Sequence, residues 1–182
     1  PILFSKKRRK DSDITAWGLQ DMFAASRETG IPTVPVEYGS IILQETVKVD
    51  GENRKLEIKV LSPPEPPFTG KYSTGSNSIA LQVDYGDRRI LLTSDMDRTA
   101  QTALLEAGGH LADVVQLPAN GAKYAYEPEF IGEPKAVIVA PKPSRYARKS
   151  LTGILSSLEN DGVKTFSTDQ GGAITVSTDG QD

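Results

Sequence analysis

Three carboxylates beside two apolar runs are the residues of this chain best suited to bind a metal ion. Asp95 and Asp97 follow a run that ends at Thr93, and Asp113 directly precedes Val114. Carboxylate oxygens bind hard cations such as Mg²⁺ or Ca²⁺, so this set predicts a cation site with Asp95 as its first ligand. The alternative is structural, because Asp at a turn fixes its loop or caps the following helix through hydrogen bonds.

Two basic clusters are candidates for contact with phosphate groups. They comprise Lys142, Arg145, Tyr146, Arg148 and Lys149, and Lys6, Lys7, Arg8, Arg9 and Lys10. Lysine and arginine neutralise backbone phosphates, and an aromatic ring stacks on an unpaired base. The clusters therefore predict binding of single-stranded DNA, and the first one, with its interleaved tyrosine, is the stronger candidate. The alternative is that each cluster is a solvated charged surface.

Composition excludes several kinds of site within this chain. Its 182 residues include no cysteine and one histidine, His110. Disulfides, iron–sulfur clusters, cysteine nucleophiles and histidine-rich zinc sites are thereby excluded, and we expect His110 to be structural. A serine hydrolase of the Gly-x-Ser-x-Gly type is disfavoured because that motif is absent. The formal net charge of −3 means that any attraction to nucleic acid is local.

The elements that position these residues follow from hydrophobic periodicity. A composition of 37% hydrophobic and 25% charged residues suits one globular domain over residues 1–182. Its parts are a basic start and helix over 1–30, a core over 31–177 and a polar tail over 178–182. Apolar residues at helical spacing from Ile14 predict a helix that ends at Gly30. Strands are predicted over Thr33–Val36, Ile41–Val49 and residues 56–61, with a turn at Asp50-Gly51.

A tight hairpin is predicted at the centre of the chain. Residues 79–85 alternate apolar and polar side chains, residues 88–93 form an apolar run, and Gly86-Asp87 between them suits a two-residue II′ turn. Before the hairpin, four prolines within residues 62–67 and the loop over 68–77 predict a surface excursion that is either a plain connection or a loop that gates a ligand.

Downstream of the hairpin, helices alternate with short buried strands. Helices are predicted over residues 99–107 and 150–158, and strands over 114–117, 136–140, 163–167 and 173–177. The whole pattern predicts a mixed α/β fold whose sheets are covered by helices.

Six short sequence blocks are similar, in their order and spacing, to blocks of one known family. They are Leu61-Ser62-Pro63-Pro64, Asn77-Ser78-Ile79-Ala80-Leu81, Tyr85-Gly86-Asp87, Ile90-Leu91-Leu92-Thr93-Ser94-Asp95, Ala112-Asp113-Val114-Val115-Gln116-Leu117-Pro118, and Thr168-Asp169 with Gly172-Ala173-Ile174-Thr175-Val176. Over roughly residues 30–177 the chain thus resembles the C-terminal metallo-β-lactamase-like domain of ComEC-type competence proteins.

The resemblance implies an αββα sandwich with metal ions at strand ends. In that family the domain is fused to a polytopic membrane channel that imports single-stranded DNA, and it is proposed to be a nuclease. We expect a partial sandwich that lacks the N-terminal part of the domain, because the family's His-x-His-x-Asp-His block has no counterpart here. The implied location is the extracytoplasmic face of the bacterial inner membrane. Since no apolar run approaches about 20 residues, we expect the chain itself to be soluble.

The chain departs from the family at the metal ligands. Ser94-Asp95 keeps the bridging carboxylate, but Ala119-Asn120-Gly121-Ala122 stands where the family has His-His-Gly-Ser. The later histidine is replaced in a segment that contains Arg145, Tyr146 and Arg148. One aspartate with the weak amide oxygen of Asn120 is too few ligands for zinc or manganese.

We therefore predict a degenerate domain, without a cofactor, that binds single-stranded DNA or docks onto the channel domain of its parent protein. One alternative is a zinc- or manganese-dependent nuclease whose missing ligands lie upstream. A second alternative is a standalone interaction module. We also expect self-association, since a truncated sandwich would leave a sheet edge uncovered.

Overall fold

The computed structural model describes residues 2–5, 14–69, 73–108, 111–141 and 145–181. In chain order the elements are β1 (Ile2–Ser5), α1 (Ile14–Thr29), β2 (Thr33–Val36), β3 (Ile41–Val49), β4 (Glu52–Ser62), α2 (Ser73–Ser76), β5 (Ala80–Tyr85), β6 (Arg88–Leu92), α3 (Arg98–Glu106), β7 (Val114–Gln116), α4 (Pro128–Ile131), β8 (Ala136–Val139), α5 (Arg145–Asn160), β9 (Lys164–Ser167) and α6 (Thr168–Gly171). Two 3-10 turns, Pro118–Gly121 and Lys123–Ala125, lie between β7 and α4. No helix in these ranges has the length and apolar character needed to cross a membrane.

A mixed seven-stranded sheet forms the centre of the α/β fold. The strands lie in the order β3-β4-β5-β6-β7-β8-β9, so β3 and β9 are its edges. Pairing is antiparallel from β3 to β6 and parallel from β6 to β9. β2 is not part of this sheet and pairs in parallel with β1 in a separate two-stranded sheet. The prediction of a mixed α/β class is confirmed.

Both predicted hairpin turns are present. Asp50 and Gly51 have φ of 50° and 88°, the pair of positive values that a two-residue I′ turn requires. At the central hairpin only the first turn residue is left-handed, since Gly86 has φ of 57° and Asp87 is not among the residues with positive φ. This pattern agrees with the II′ turn predicted between β5 and β6.

The hydrophobic core lies between one face of the sheet and three helices. Leu91, Val115 and Val137 are adjacent in register and at most 1% exposed. Over them pack Ala100 and Leu104 of α3, Phe130 and Ile131 of α4, and Leu151, Ile154 and Leu158 of α5. Right-handed crossovers between consecutive parallel strands place their connections on the same face. We call this the inner face of the sheet and the opposite side the outer face.

Three predicted elements differ clearly from the observed ones. The strand predicted over residues 56–61 is β4, which begins four residues earlier, at Glu52. The helix predicted over 150–158 is α5, which begins five residues earlier, at Arg145. The strand predicted over 173–177 is wrong, because these residues have no regular structure. A strand needs a hydrogen-bonded neighbour, and no strand of the described residues pairs with this segment.

The C-terminal tail is anchored rather than free. The backbone N–H of Asp87 donates to the Gly180 carbonyl at 2.8 Å, and Arg54 donates to the Asp179 carbonyl. Arg88 Nε donates to the Gln181 carbonyl at 2.6 Å. The tail therefore closes against the turn of the central hairpin, which the polar composition of residues 178–182 did not predict.

Candidate functional site

The parallel strands β6 to β9 all end at the same side of the sheet, which we call the carboxyl edge. Ser94 and Asp95 follow β6, Ala119 and Asn120 follow β7, and Pro141 follows β8. In open α/β sheets the loops at this side carry most binding sites, because a rigid sheet positions them. The carboxyl edge is therefore where the predicted site residue Asp95 lies.

The backbone at the carboxyl edge is strained. Ser94, Ala119 and Asn120 have φ of 52°, 47° and 60°, a conformation that costs a non-glycine residue roughly 1 kcal/mol or more. Hydrogen bonds hold these residues in place: the Ala119 N–H donates to the Ser94 carbonyl at 2.8 Å, and Asn120 Nδ2 donates to the Ala140 carbonyl at 2.9 Å. These two hydrogen bonds link the ends of three neighbouring strands, β6, β7 and β8. Strained backbone of this kind is concentrated at functional sites in proteins.

Asp95 and Asp97 have different roles although they are two residues apart. Asp97 is the N-cap of α3, since its Oδ1 accepts from the Ala100 N–H at 3.1 Å. Its Oδ2 accepts from the Ser76 hydroxyl at 2.6 Å, so α2 is tied to the same loop. Asp95 is exposed. The capping residue is thus Asp97, and the alternative that Asp95 caps the helix is wrong. That Asp95 fixes its loop stays a prediction.

Asp113 and Asp95 lie at opposite ends of the parallel strands. It precedes β7, whereas Asp95 follows β6, and these two strands run parallel. The predicted cation site of Asp95, Asp97 and Asp113 is therefore not formed. Within the described residues, no group of three or more histidine, cysteine or acidic side chains is placed to hold a metal ion.

The Asp113 carboxylate is instead the centre of a charged cluster. It accepts from Arg88 Nη1 at 2.9 Å and from the Arg89 backbone N–H at 2.9 Å, and Lys135 Nζ lies at 3.1 Å. Partial burial acts to raise the pKa of Asp113, but these hydrogen bonds outweigh burial and hold the pKa below its usual value. The cluster lines a cleft of about 640 Å³, which also contains Glu57 and Asp84.

The metal ligands available at the carboxyl edge are few. Asp95 supplies one exposed carboxylate, and the Asn120 amide already donates to Ala140, which leaves only its weakly binding oxygen. Zinc and manganese sites in proteins need three or four ligands of stronger donor character. The described residues at this edge thus do not fit a zinc or manganese centre.

A basic groove adjoins the carboxyl edge. Arg98 at the start of α3, Lys123 in the second 3-10 turn and Lys149 in α5 line one groove of about 460 Å³. The remaining lining residues are Tyr126, Ser150, Gly153, Ile154 and Ser157. We call this set of residues the basic groove.

The basic groove is lined by three positively charged side chains and by the uncharged side chain of Tyr126. Arg98 donates to the Tyr126 carbonyl from Nε at 3.1 Å and from Nη2 at 2.9 Å, and its Nε lies 4.0 Å from a Glu127 carboxylate oxygen. Burial raises the pKa of Tyr126, and the charges of Asp161 and Glu127 raise it further, so the hydroxyl stays protonated. Lys123 and Lys149 are exposed. The groove therefore offers two exposed ammonium groups, one anchored guanidinium and a phenol to an anionic ligand.

Two neighbouring residues of the predicted DNA-binding cluster have different surroundings in α5. Lys149 lines the basic groove, whereas the Nε of its neighbour Arg148 lies 3.9 Å from an Asp169 carboxylate oxygen. Arg145 and Tyr146 belong to the first turn of α5 rather than to a loop. Lys6, Lys7, Arg8, Arg9, Lys10, His110 and Lys142 lie outside the described residues.

Two groove residues, Arg98 and Lys123, were not singled out from the sequence. Arg98 is 51 residues and Lys123 is 26 residues before Lys149 in the sequence, and neither belongs to a basic cluster. A partial signal was present, because each follows a predicted strand, 88–93 or 114–117, within a few residues. The parallel pairing that brings such segments to one side of a sheet was not predicted.

Comparison with known proteins gives no family for this chain. No protein-family model matches it, and no curated protein is significantly similar to it.

Proposed function

We propose that this chain is a degenerate metallo-β-lactamase-like domain of the ComEC type, which binds single-stranded DNA at its carboxyl edge and does not hydrolyse it. The observation that carries the proposal is the convergence of Arg98, Lys123 and Lys149 on one groove in a chain of net charge −3. Local cations of this kind neutralise backbone phosphates. In this proposal Tyr126, which lines the same groove, contacts a base or a sugar.

The fold and the resemblance support the same proposal. A mixed sheet with helices on one face is compatible with half of an αββα sandwich, and Asp95 follows β6 where the family has its bridging aspartate. Ala119 and Asn120 stand where the family has histidine ligands, and the loss of those ligands argues against hydrolysis. In this proposal the domain acts beside the membrane channel of its parent protein, on the extracytoplasmic side.

Adjacent residues of α5 provide the test of DNA binding. Fluorescence anisotropy of a labelled oligo(dT) strand measures affinity over a salt series, starting at low salt. Lys149→Ala and Lys123→Ala are each expected to weaken binding and to reduce the slope of log K against log salt by about 0.7. Arg148→Ala is the matched control, because it removes one positive charge from the same helix outside the groove. No binding at low salt, or equal effects of Lys149→Ala and Arg148→Ala, contradicts the proposal.

The strained backbone beside exposed Asp95 favours one alternative, a metal-dependent nuclease completed by ligands from outside the described residues. Incubation of the labelled strand with Mn²⁺ or Zn²⁺ separates the two functions. Cleavage that requires metal and is lost in Asp95→Ala supports the nuclease, whereas binding without cleavage supports the degenerate domain.

A further inference from the structure

A small pocket, which we call the α3 pocket, lies between α3 and the end of β4. Its volume is about 170 Å³. Leu61 and Ser62 of β4 and Ala100 and Leu104 of α3 form its floor, and each of them is at most 5% exposed. The pocket therefore reaches from the surface down to the hydrophobic core.

The mouth of the α3 pocket is fixed by the turn that precedes β3. Tyr38 and Glu65 line the pocket and are exposed. The Tyr38 N–H donates to the Pro63 carbonyl at 2.8 Å, and the Gly39 N–H donates to the Val60 carbonyl at 2.9 Å. These bonds tie the turn to β4, so the pocket is already formed by the fold, as most small-molecule sites are.

The Ser62 hydroxyl is the polar side-chain group at the floor of the pocket. Ser62 pairs with Ala80, and directly paired residues of antiparallel strands place their side chains on the same face of the sheet. Ala80 belongs to the core on which α3 packs, so the Ser62 side chain also points to the inner face, toward α3. Within the part of the chain that the structure describes, this hydroxyl has no hydrogen-bond partner. A buried hydroxyl without a partner is unfavourable, and a ligand group that bonds to it removes that cost.

Small side chains leave the space open on the side of α3. Ala100, Ala103 and Ala107 line the pocket at intervals of three and four residues, so they lie on one face of the helix. An apolar protein cavity of about 150 Å³ holds one benzene molecule, so the α3 pocket has room for one six-membered ring. A water molecule is a poorer occupant of the floor, because it needs about two to four polar partners and Ser62 is the one polar side chain among the four floor residues.

We propose that the α3 pocket binds a small cyclic alcohol, with its ring against the alanines of α3 and its hydroxyl group hydrogen-bonded to Ser62 Oγ. A serine hydroxyl both donates and accepts, so it can pair with the alcohol in either direction. The loop over residues 62–67, for which the gating of a ligand was one of two predicted roles, supplies Ser62, Pro64 and Glu65 to the pocket. The lining residues of the α3 pocket and of the basic groove do not overlap, so this proposal is independent of DNA binding.

Phenol and toluene are the two probes of the test, because they are nearly equal in size and differ in the hydroxyl group. Amide chemical shifts of the full chain, followed by NMR during each titration, report the dissociation constant and the residues affected. Phenol is expected to bind with a dissociation constant below about 1 mM and to shift amides of residues 61–65 and 100–107. Ser62→Ala is expected to weaken phenol binding at least about fivefold, whereas the affinity for toluene is not expected to fall.

Ala103→Leu provides a second variant that does not depend on the Ser62 substitution. The larger side chain fills the pocket, so the binding of both probes is expected to be lost. Thr102→Leu is the matched control, because Thr102 is exposed on the same helix and does not line the pocket, and it should bind phenol like the unmodified chain. Circular dichroism checks that each variant is folded.

Loss of phenol binding in Ala103→Leu, together with a loss in Ser62→Ala that is specific to phenol, supports the proposal. The absence of saturable shifts up to about 10 mM phenol overturns it. Equal effects of Ser62→Ala on phenol and toluene, or phenol binding that persists in Ala103→Leu, also overturn it.

Discussion

Arg88 Nη1 lies 2.9 Å from Asp113 Oδ1 and joins the first residue of β6 to the residue that precedes β7. Both side chains are about one-quarter exposed or less, so solvent screens the pair only in part. Because the Arg89 N–H and Lys135 also donate to this carboxylate, Asp113 fixes the start of the parallel half of the sheet.

Asp113 should therefore make stability depend on pH in the acid range. Its folded-state pKa is lowered, so its contribution is present above the unfolded pKa of about 3.9 and is lost as the pH falls through the folded value. Asp113→Asn is expected to lose about 1–2 kcal/mol at pH 7. Urea unfolding at pH 7 and at about pH 3 should show that this difference shrinks in acid.

Asp95→Asn is the control for that measurement, because Asp95 is exposed at the other side of the sheet. Its stability is expected to stay within about 0.5 kcal/mol of the unmodified chain at both pH values. A difference for Asp113→Asn that stays constant between the two pH values would show that the loss comes from packing and not from the charge.

The cap of α3 allows a second prediction. Asp97 accepts hydrogen bonds from the Ala100 N–H and from the Ser76 hydroxyl, so Asp97→Ala removes both. Loss of an N-cap costs about 1 kcal/mol, and the second bond should bring the cost to about 1–2 kcal/mol. Asp97→Asn keeps an oxygen acceptor and is expected to lose less.

The free energies of unfolding of Asp97→Ala, Asp97→Asn and Asp95→Ala, compared by chemical denaturation, check this assignment. Asp95→Ala should be nearly neutral, within about 0.5 kcal/mol. If Asp95→Ala were the more destabilising variant, Asp95 would have a structural role that the observed contacts do not include.

The sequence predicts the elements well where one local rule decides them. The strands over Thr33–Val36 and Ile41–Val49 agree with their predicted bounds, because alternation and turn residues specify them. The segment over 173–177 has the same strand-like composition but no regular structure. Strand formation depends on a partner, and composition does not show whether one is present.

The candidate site was predictable only in part for a related reason. Asp95 was found because it ends a strong apolar run, and Lys149 because it stands in a basic cluster. Arg98 is isolated in sequence, and only the parallel pairing of the strands brings it beside Lys149. That residues so distant in sequence line one groove therefore follows from the order of the strands, which the sequence did not predict.

The turn of the central hairpin gives the third prediction. Gly86 has φ of 57°, and a Cβ added to it would lie 2.4 Å from the Gly180 carbonyl oxygen. Gly86→Ala therefore strains the backbone by about 1 kcal/mol and also pushes the C-terminal tail away. The total loss of stability is expected to exceed about 2 kcal/mol, because the hydrogen bond from Asp87 to Gly180 breaks as well.

Gly51→Ala is the matched control for Gly86→Ala. Gly51 also has positive φ, 88°, but a Cβ there would meet nothing within 4 Å, so only the backbone strain of about 1 kcal/mol remains. Amide hydrogen exchange followed by NMR reports the tail directly, because the Asp87 N–H is protected by the Gly180 carbonyl. Protection should be lost in Gly86→Ala and kept in Gly51→Ala. Equal protection in the two variants would show that the tail adapts to the added methyl group and that its contact with the hairpin does not require glycine at position 86.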